Sequence, residues 1–198
     1  AYKNARKVLE PNNNIFITGN PIRKNLKLSD KYQSKDSLGL DKNKKTIFIL
    51  GGSQGSKTIN EHLVSNLVFY TSGNFQFYIQ CGEKNLNDFP EEFKNSKDII
   101  IESFIEDIST VYSASDLVIS RAGALAITEL CYMGKAMILI PFRFAADNHQ
   151  KLNAEEIIAE EACIMVEEKD LEKGTLETKI SDLMEDENKI EVFENNAK

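Results

Sequence analysis

Apolar residues gather in short, nearly continuous runs at 15–17, 46–50, 75–80, 99–101, 117–120, 136–140 and 164–166. Few of these runs alternate with polar positions, which is the pattern of strands covered on both faces. Between them the apolar positions take a helical spacing, as at Ile59, Leu63 and Leu67, and suit crossover helices. The alternation predicts an α/β protein built on a doubly wound, Rossmann-like parallel sheet. Residues 25–45, rich in Lys, Asp and Ser and without a strong period, read as a loop carrying one helical turn. From Lys169 onward the chain is dense in Glu, Lys and Asp, with Leu171, Leu176, Ile180, Leu183, Ile190 and Phe193 at roughly helical spacing. That spacing predicts surface helices.

Composition narrows the picture. The 198 residues are 41% hydrophobic, enough for one substantial core. Basic residues number 24 against 31 acidic ones, and the net charge of -7 excludes the broad positive face that nucleic acid or an anionic membrane attracts. Cys81, Cys131 and Cys163 lie in apolar runs at spacings that match no metal motif, so buried free thiols in a reducing compartment are expected. No stretch approaches the roughly 20 apolar residues of a spanning helix, and Ala1-Tyr2-Lys3 lacks the apolar core of a signal peptide. The expectation is a soluble, cytoplasmic protein. The opening, which does not begin with Met, reads as the tail of a preceding unit.

In a sheet of this kind ligands bind beyond the carboxyl ends of the strands, where helix N-termini present N–H groups. The loops directly after strands therefore carry the candidate chemistry. Gly51-Gly52-Ser53-Gln54-Gly55-Ser56 follows the run 46–50 and precedes a helical pattern. Its glycines permit tight turning and close backbone approach, and Ser53 and the N–H groups after it can cradle an anion or a sugar. It lacks the Gly-Lys pair of a P-loop and the spacing of the dinucleotide fingerprint; a plain structural turn is the alternative. Ser120-Arg121-Ala122-Gly123-Ala124-Leu125-Ala126-Ile127-Thr128-Glu129 again follows a strand. Its small residues would admit a diphosphate to the first turn of a helix, with Glu129 one turn in to accept from ribose hydroxyls or, alternatively, simply solvated.

Pro141-Phe142-Arg143-Phe144-Ala145-Ala146-Asp147-Asn148-His149-Gln150 follows the run 136–140. Here Asp147 is a candidate helix cap, and the Gln150 amide can give and take hydrogen bonds with sugar hydroxyls; an ordinary helix start is the alternative. In Gly19-Asn20-Pro21-Ile22-Arg23, Arg23 is a candidate phosphate partner or a solvated surface cation. Ile105, after the run 99–101, offers backbone groups and an apolar wall to a base, or belongs to the core. Together these loops describe a nucleotide-sugar pocket on one edge of one sheet.

Taken in order over residues 2–159, these motifs resemble a family of two-lobed GT-B glycosyltransferases. Its members move N-acetylglucosamine from UDP to undecaprenyl-pyrophosphoryl-muramoyl pentapeptide, converting lipid I to lipid II in peptidoglycan synthesis. The segments that carry the likeness are 19–23, 50–55, 80–82, 104–107, 120–129 and 141–154. The resemblance implies that Arg23, Ser53 and Gln54 meet the donor diphosphate or sugar and that the Ile105 backbone reads the uracil edge. It also implies that Ala124, Leu125, Ala126, Ile127 and Thr128 surround the phosphates and ribose, with Glu129 on the ribose and Gln150 on the N-acetylglucosamine.

The family's N-terminal lobe, which supplies the lipid acceptor site, the membrane-facing patch and the catalytic base, has no counterpart here. An inverting transfer needs such a base; His149 is the nearest candidate in a motif but reads as donor-side or structural, and His62 as a surface residue. No metal or other cofactor is implied beyond the UDP-N-acetylglucosamine substrate. The resemblance divides the chain into the end of an absent lobe or a linker at 1–18, a nucleotide-sugar-binding domain at 19–168, and helices at 169–198 that pack on this domain or on the absent lobe. It places the full-length enzyme at the cytoplasmic face of the inner membrane. Two rivals stand beside it: another lipid-linked or glycolipid glycosyltransferase, and a stand-alone binding subunit that docks on a separate acceptor-binding protein at a membrane, for which an exposed apolar face would speak.

Overall fold

The computed structural model describes residues 19–52 and 54–198. Strands β1 (Thr46–Leu50), β2 (Gln76–Gln80), β3 (Ile99–Glu102), β4 (Leu117–Ser120), β5 (Met137–Leu139) and β6 (Cys163–Met165) form one sheet in the order β3-β2-β1-β4-β5-β6. Every neighbouring pair is parallel. This is the doubly wound order, and its direction reverses between β1 and β4. The apolar run at 15–17 lies outside the described residues.

Helices α1 (Lys31–Ser37), α2 (Lys57–Ser65), α3 (Leu67–Tyr70), α4 (Glu91–Lys94), α5 (Ile108–Ala114), α6 (Ala124–Tyr132), α7 (His149–Ala159), α8 (Thr175–Glu185) and α9 (Glu187–Ala197) flank the sheet. Successive strand residues point to opposite faces, so each central strand feeds two cores. Ile47, Ile49, Ile79 and Ile119 pack with Ile59 and Leu63 of α2 and with Leu176, Ile180 and Leu183 of α8. Phe48, Leu50, Tyr78 and Val118 pack with Tyr112 of α5, Ile127 and Leu130 of α6 and Ala154 of α7. Because β1, β2 and β4 are buried along their whole length, they read as continuous apolar runs.

The helices after residue 169 are structural walls of the core: Leu176, Ile180 and Leu183 are fully buried, and each such side chain contributes about 1.5–3 kcal/mol by leaving water. The segment 25–45 holds a seven-residue helix, capped by Asp30, whose side chain accepts from the Gln33 N–H at 2.9 Å. Tertiary contacts fix that helix. Lys35 is buried and donates to the Lys44 carbonyl at 2.6 Å and to Asp116 at 3.3 Å, while Lys31 pairs with the same Asp116. Asp116 in turn accepts from the Thr46 N–H at 2.7 Å, which ties α1 to the amino-terminal edge of β1 and β4.

Register sets up the opposite edge. Leu50 lies beside Gln80 and Ser120, and Gln80 beside Glu102, so the loops after β1, β2, β3 and β4 leave the sheet at one level. Among the described residues no helix is long and apolar enough to cross a membrane.

Candidate functional site

At the carboxyl edge, around the point where strand order reverses, two adjoining cavities open. One, of about 450 Å³, is lined by Arg23, Leu50, Gly52, Gln80, Phe104, Ile105, Leu125, Ala126 and Glu129. The other, of about 470 Å³, is lined by the glycine loop, Ser120, Arg121, Gly123, Phe142 and Gln150, and shares Leu50, Gly52 and Ala126 with the first.

The glycine loop is held by close backbone packing. Gly55 has φ +73°, and a Cβ on it would stand 1.9 Å from the Cys81 carbonyl oxygen; a Cβ on Gly82 would stand 2.4 Å from that of Gln54. Only glycine lets the loops after β1 and β2 touch in this way. The loop then enters α2 through Ser56, whose Oγ accepts from the Ile59 N–H. Asn60 and Asn85 both donate to the Cys81 carbonyl, at 2.9 and 2.8 Å, and secure the contact from the side. Gln54 lines the second cavity. Ser53 lies outside the described residues.

Helix α6 starts at the N-cap Gly123 with no side-chain cap, so a helix end of positive character faces the cavities. Leu125 and Ala126 line the cavity from its first turn. Ala124 opens the helix without lining either cavity. The Ile127 side chain is wholly buried against the sheet and lines neither cavity. Thr128 lines neither cavity. Its Oγ1 donates to the Ala124 carbonyl at 2.8 Å and accepts from Asn20 at 2.9 Å.

That Asn20 contact begins a clamp of the segment 19–23 across α6. Arg23 completes it, with Nε 2.6 Å from Glu129 Oε1. Glu129 is buried, and its second oxygen accepts from Tyr112 Oη at 3.4 Å; burial first, then Glu129, pushes the Tyr112 hydroxyl up. The expected phosphate and ribose partners thus hold each other. The Ile105 N–H, expected at the uracil edge, donates to Gln80 Oε1 at 3.2 Å, while the Ile105 side chain walls the first cavity.

Gln150 stands at the second cavity and accepts from the Phe142 N–H at 3.0 Å. Asp147 does not cap α7: it has φ +50°, and the N-cap is Asn148, itself left-handed and making no side-chain cap bond. Asn153 instead donates to the Ala122 carbonyl at 3.0 Å and joins α7 to the loop after β4. His149 is exposed and its Nδ1 donates to the Ala146 carbonyl at 2.7 Å.

His62 is not a surface residue. It is buried, with Nε2 2.7 Å from Glu177 Oε1, and that oxygen also accepts from Tyr70 Oη at 2.9 Å. Asn66 Nδ2 donates to the His62 carbonyl at 2.9 Å and lies 3.2 Å from Nδ1, which assigns the ring proton to Nε2. Neither histidine lines either cavity.

Arg121, like Lys57, is a cation of the second cavity. Its guanidinium donates to Ser56 Oγ at 2.7 Å and to the Ile140 carbonyl at 3.2 Å, pairs with Glu168 Oε1 at 2.6 Å, and sits over the Phe142 ring. Burial pulls its pKa down against the pull of Glu168, yet an arginine stays charged. Position directly after a strand was a signal for Arg121. Glu168, 47 residues further along the chain, had none. No group of three or more His, Cys, Asp or Glu suited to a metal ion occurs among the described residues.

The glycosyltransferase family 28 C-terminal domain matches residues 46–198. A Flavobacterium psychrophilum protein named UDP-N-acetylglucosamine-N-acetylmuramyl-(pentapeptide) pyrophosphoryl-undecaprenol N-acetylglucosamine transferase is 37% identical over 174 residues, covering 87% of this chain and 47% of its own length. The protein of the same name from Finegoldia magna is 30% identical over 201 residues, covering 100% of this chain and 54% of its own. The chain thus spans about half the length of the curated relatives it matches. Among solved structures, Acinetobacter baumannii MurG superposes with a TM-score of 0.70 at 24% identity, covering 94% of this chain and 53% of that one. Sucrose-phosphate synthase from Thermosynechococcus elongatus gives 0.60 at 15%, covering 89% and 45%. These likenesses give the fold, one Rossmann-like lobe of the GT-B architecture. By its matched residues the chain belongs to glycosyltransferase family 28, as a C-terminal domain.

Proposed function

We propose that this chain is the donor-binding half of an inverting hexosyltransferase. It would take N-acetylglucosamine from UDP and deliver it to undecaprenyl-pyrophosphoryl-muramoyl pentapeptide, the step from lipid I to lipid II in peptidoglycan synthesis. The observation that carries the reading is the paired cavity at the sheet's switch point, apolar-walled on one side and glycine-lined on the other, where doubly wound sheets take nucleotides. The names borne by the family relatives support this donor and acceptor.

In this reading uracil lies against Ile105, Glu129 turns to the ribose, and the diphosphate sits over the opening of α6 beside Arg23. Ser53 and Gln54 would border the sugar, and Gln150 would hydrogen-bond it. Breaking the bond from sugar C1 to the diphosphate leaves negative charge on the departing UDP. A positive helix end and a nearby guanidinium stabilise that charge without needing a cofactor in the scheme. The base that takes the acceptor's proton belongs to the acceptor half, as does attachment to the cytoplasmic face of the inner membrane.

Calorimetry with UDP, UDP-N-acetylglucosamine and UDP-glucose tests the proposal. Weak binding of UDP and UDP-N-acetylglucosamine is expected, with no sugar transfer by the chain alone. Absence of binding to all three sinks it.

A further inference from the structure

Gln80 is the last residue of β2 and only 4% exposed. Its amide joins the loops after β1 and β3, both of which line the first cavity. Nε2 donates to the Gly52 carbonyl at 2.9 Å, and Oε1 accepts from the Ile105 N–H at 3.2 Å. A carbonyl can only accept and a backbone N–H can only donate, so these partners fix which way the amide faces.

The consequences differ at the two ends. Gly52 has φ +86°, a conformation that favours glycine, and its carbonyl accepts both from the Gly55 N–H at 3.0 Å, within its own loop, and from the Gln80 amide, which ties it to β2. At the other end, the same amide orients the peptide before Ile105 and so sets the wall formed by Phe104 and Ile105. It also occupies the Ile105 N–H, which makes apolar contact, not that N–H, the base's first meeting with the loop.

We propose that Gln80 is a positioning residue for the nucleoside diphosphate: it staples the glycine loop to the base wall so that both ends of the ligand are met at once. The proposal rests on the donor-site reading above. A carboxylate in its place could still accept from Ile105 but would repel the Gly52 carbonyl, whereas a protonated carboxyl restores both bonds, donating its O–H to Gly52.

The test uses the chain with Gln80→Leu and Gln80→Glu, UDP as probe, calorimetry for affinity, and thermal unfolding without ligand. Gln80→Leu is expected to bind UDP about tenfold more weakly than the unsubstituted chain. Relative to that chain at each pH, Gln80→Glu is expected to be deficient near about pH 8 and to recover toward about pH 6. The pH-dependent rescue is a readout that a merely space-filling role would not give, and it stands if the leucine variant fails to fold. Binding of UDP by both variants within about twofold of the unsubstituted chain, or a Gln80→Glu deficit that does not change with pH, overturns the staple. Failure of the unsubstituted chain to bind UDP is a different result, which overturns the donor site itself and the staple with it.

Discussion

Arg23 Nε lies 2.6 Å from Glu129 Oε1, with the arginine half exposed and the glutamate buried. The arginine end of the pair is open to solvent, so a ligand that offers both groups replacement partners can part it without leaving the buried carboxylate uncompensated. A diphosphate for Arg23 and ribose hydroxyls for Glu129 would be the replacement partners. Glu129→Ala is therefore expected to lose more than about 1 kcal/mol of UDP affinity, the size of a hydrogen bond to a charged group. Arg23→Ala should weaken UDP as well, and the two losses should not add, because each substitution frees the other residue. Calorimetry on the two variants and their combination reads the coupling; an unchanged dissociation constant in Glu129→Ala removes that residue from the site.

Two glycines of the same edge separate stability from binding. Gly55→Ala must place a methyl 1.9 Å from the Cys81 carbonyl at φ +73°, and strain at the left-handed backbone alone costs about 1–2 kcal/mol. With the backbone clash added, urea unfolding should show a loss of several times that for the loop to move aside. Gly123 has φ -71° and nothing within 4 Å of an added Cβ, so Gly123→Ala should stay within about 0.5 kcal/mol of the parent in urea. Its methyl nevertheless stands at the start of α6, where the diphosphate is proposed. A normal melt with weakened UDP binding is the expected pair of results, and unaltered binding would move the diphosphate away from Gly123.

The sheet was legible because its strands are buried on both sides. The runs 46–50 and 117–120 coincide with β1 and β4, the two strands that flank the switch point, and that placed the glycine and 120–129 loops on one edge. What escaped were relations between residues far apart. His62 reads as an ordinary helix residue until Glu177, 115 positions away, closes on it. The charged helix α1 has no apolar period to announce it, since Asp116 and the Lys44 carbonyl hold it in place. The stripe on α8 was visible, but which surface it covers is decided by tertiary packing. Asp147 shows the limit of local rules: a good capping residue before a helix takes a left-handed conformation and caps nothing.

The Arg121–Glu168 pair links the floor of the second cavity to the segment after β6. Both side chains are largely buried, at 13% and 6% exposure. Removing one member of a buried pair leaves the other charge without compensation, at a cost of about 3–5 kcal/mol. Glu168→Ala should approach that loss in chemical denaturation. Arg143, 65% exposed and 3.9 Å from Glu168, is a rim partner, and Arg143→Ala should change stability by under about 1 kcal/mol. Equal effects of the two substitutions would show that Arg121 does not depend on Glu168.

Acid should weaken the fold through Asp116. Burial alone pushes its carboxyl up, but Lys31, the Thr46 N–H and Lys35 together hold it below the usual carboxylate range. A carboxyl depressed in the folded state binds its proton more readily when unfolded, so its contribution is present above the unfolded value of about 3.9 and disappears as pH falls through the folded value. Asp116→Asn keeps an acceptor for the Thr46 N–H but cannot titrate. It should be less stable than the parent at neutral pH and lose less stability between about pH 5 and about pH 2, bringing the two curves together in acid. Glu177, held low against its burial by His62, its own backbone N–H and Tyr70, should leave a residual acid slope in the variant. Parallel curves of denaturation free energy against pH would show that Asp116 carries no share of the acid sensitivity.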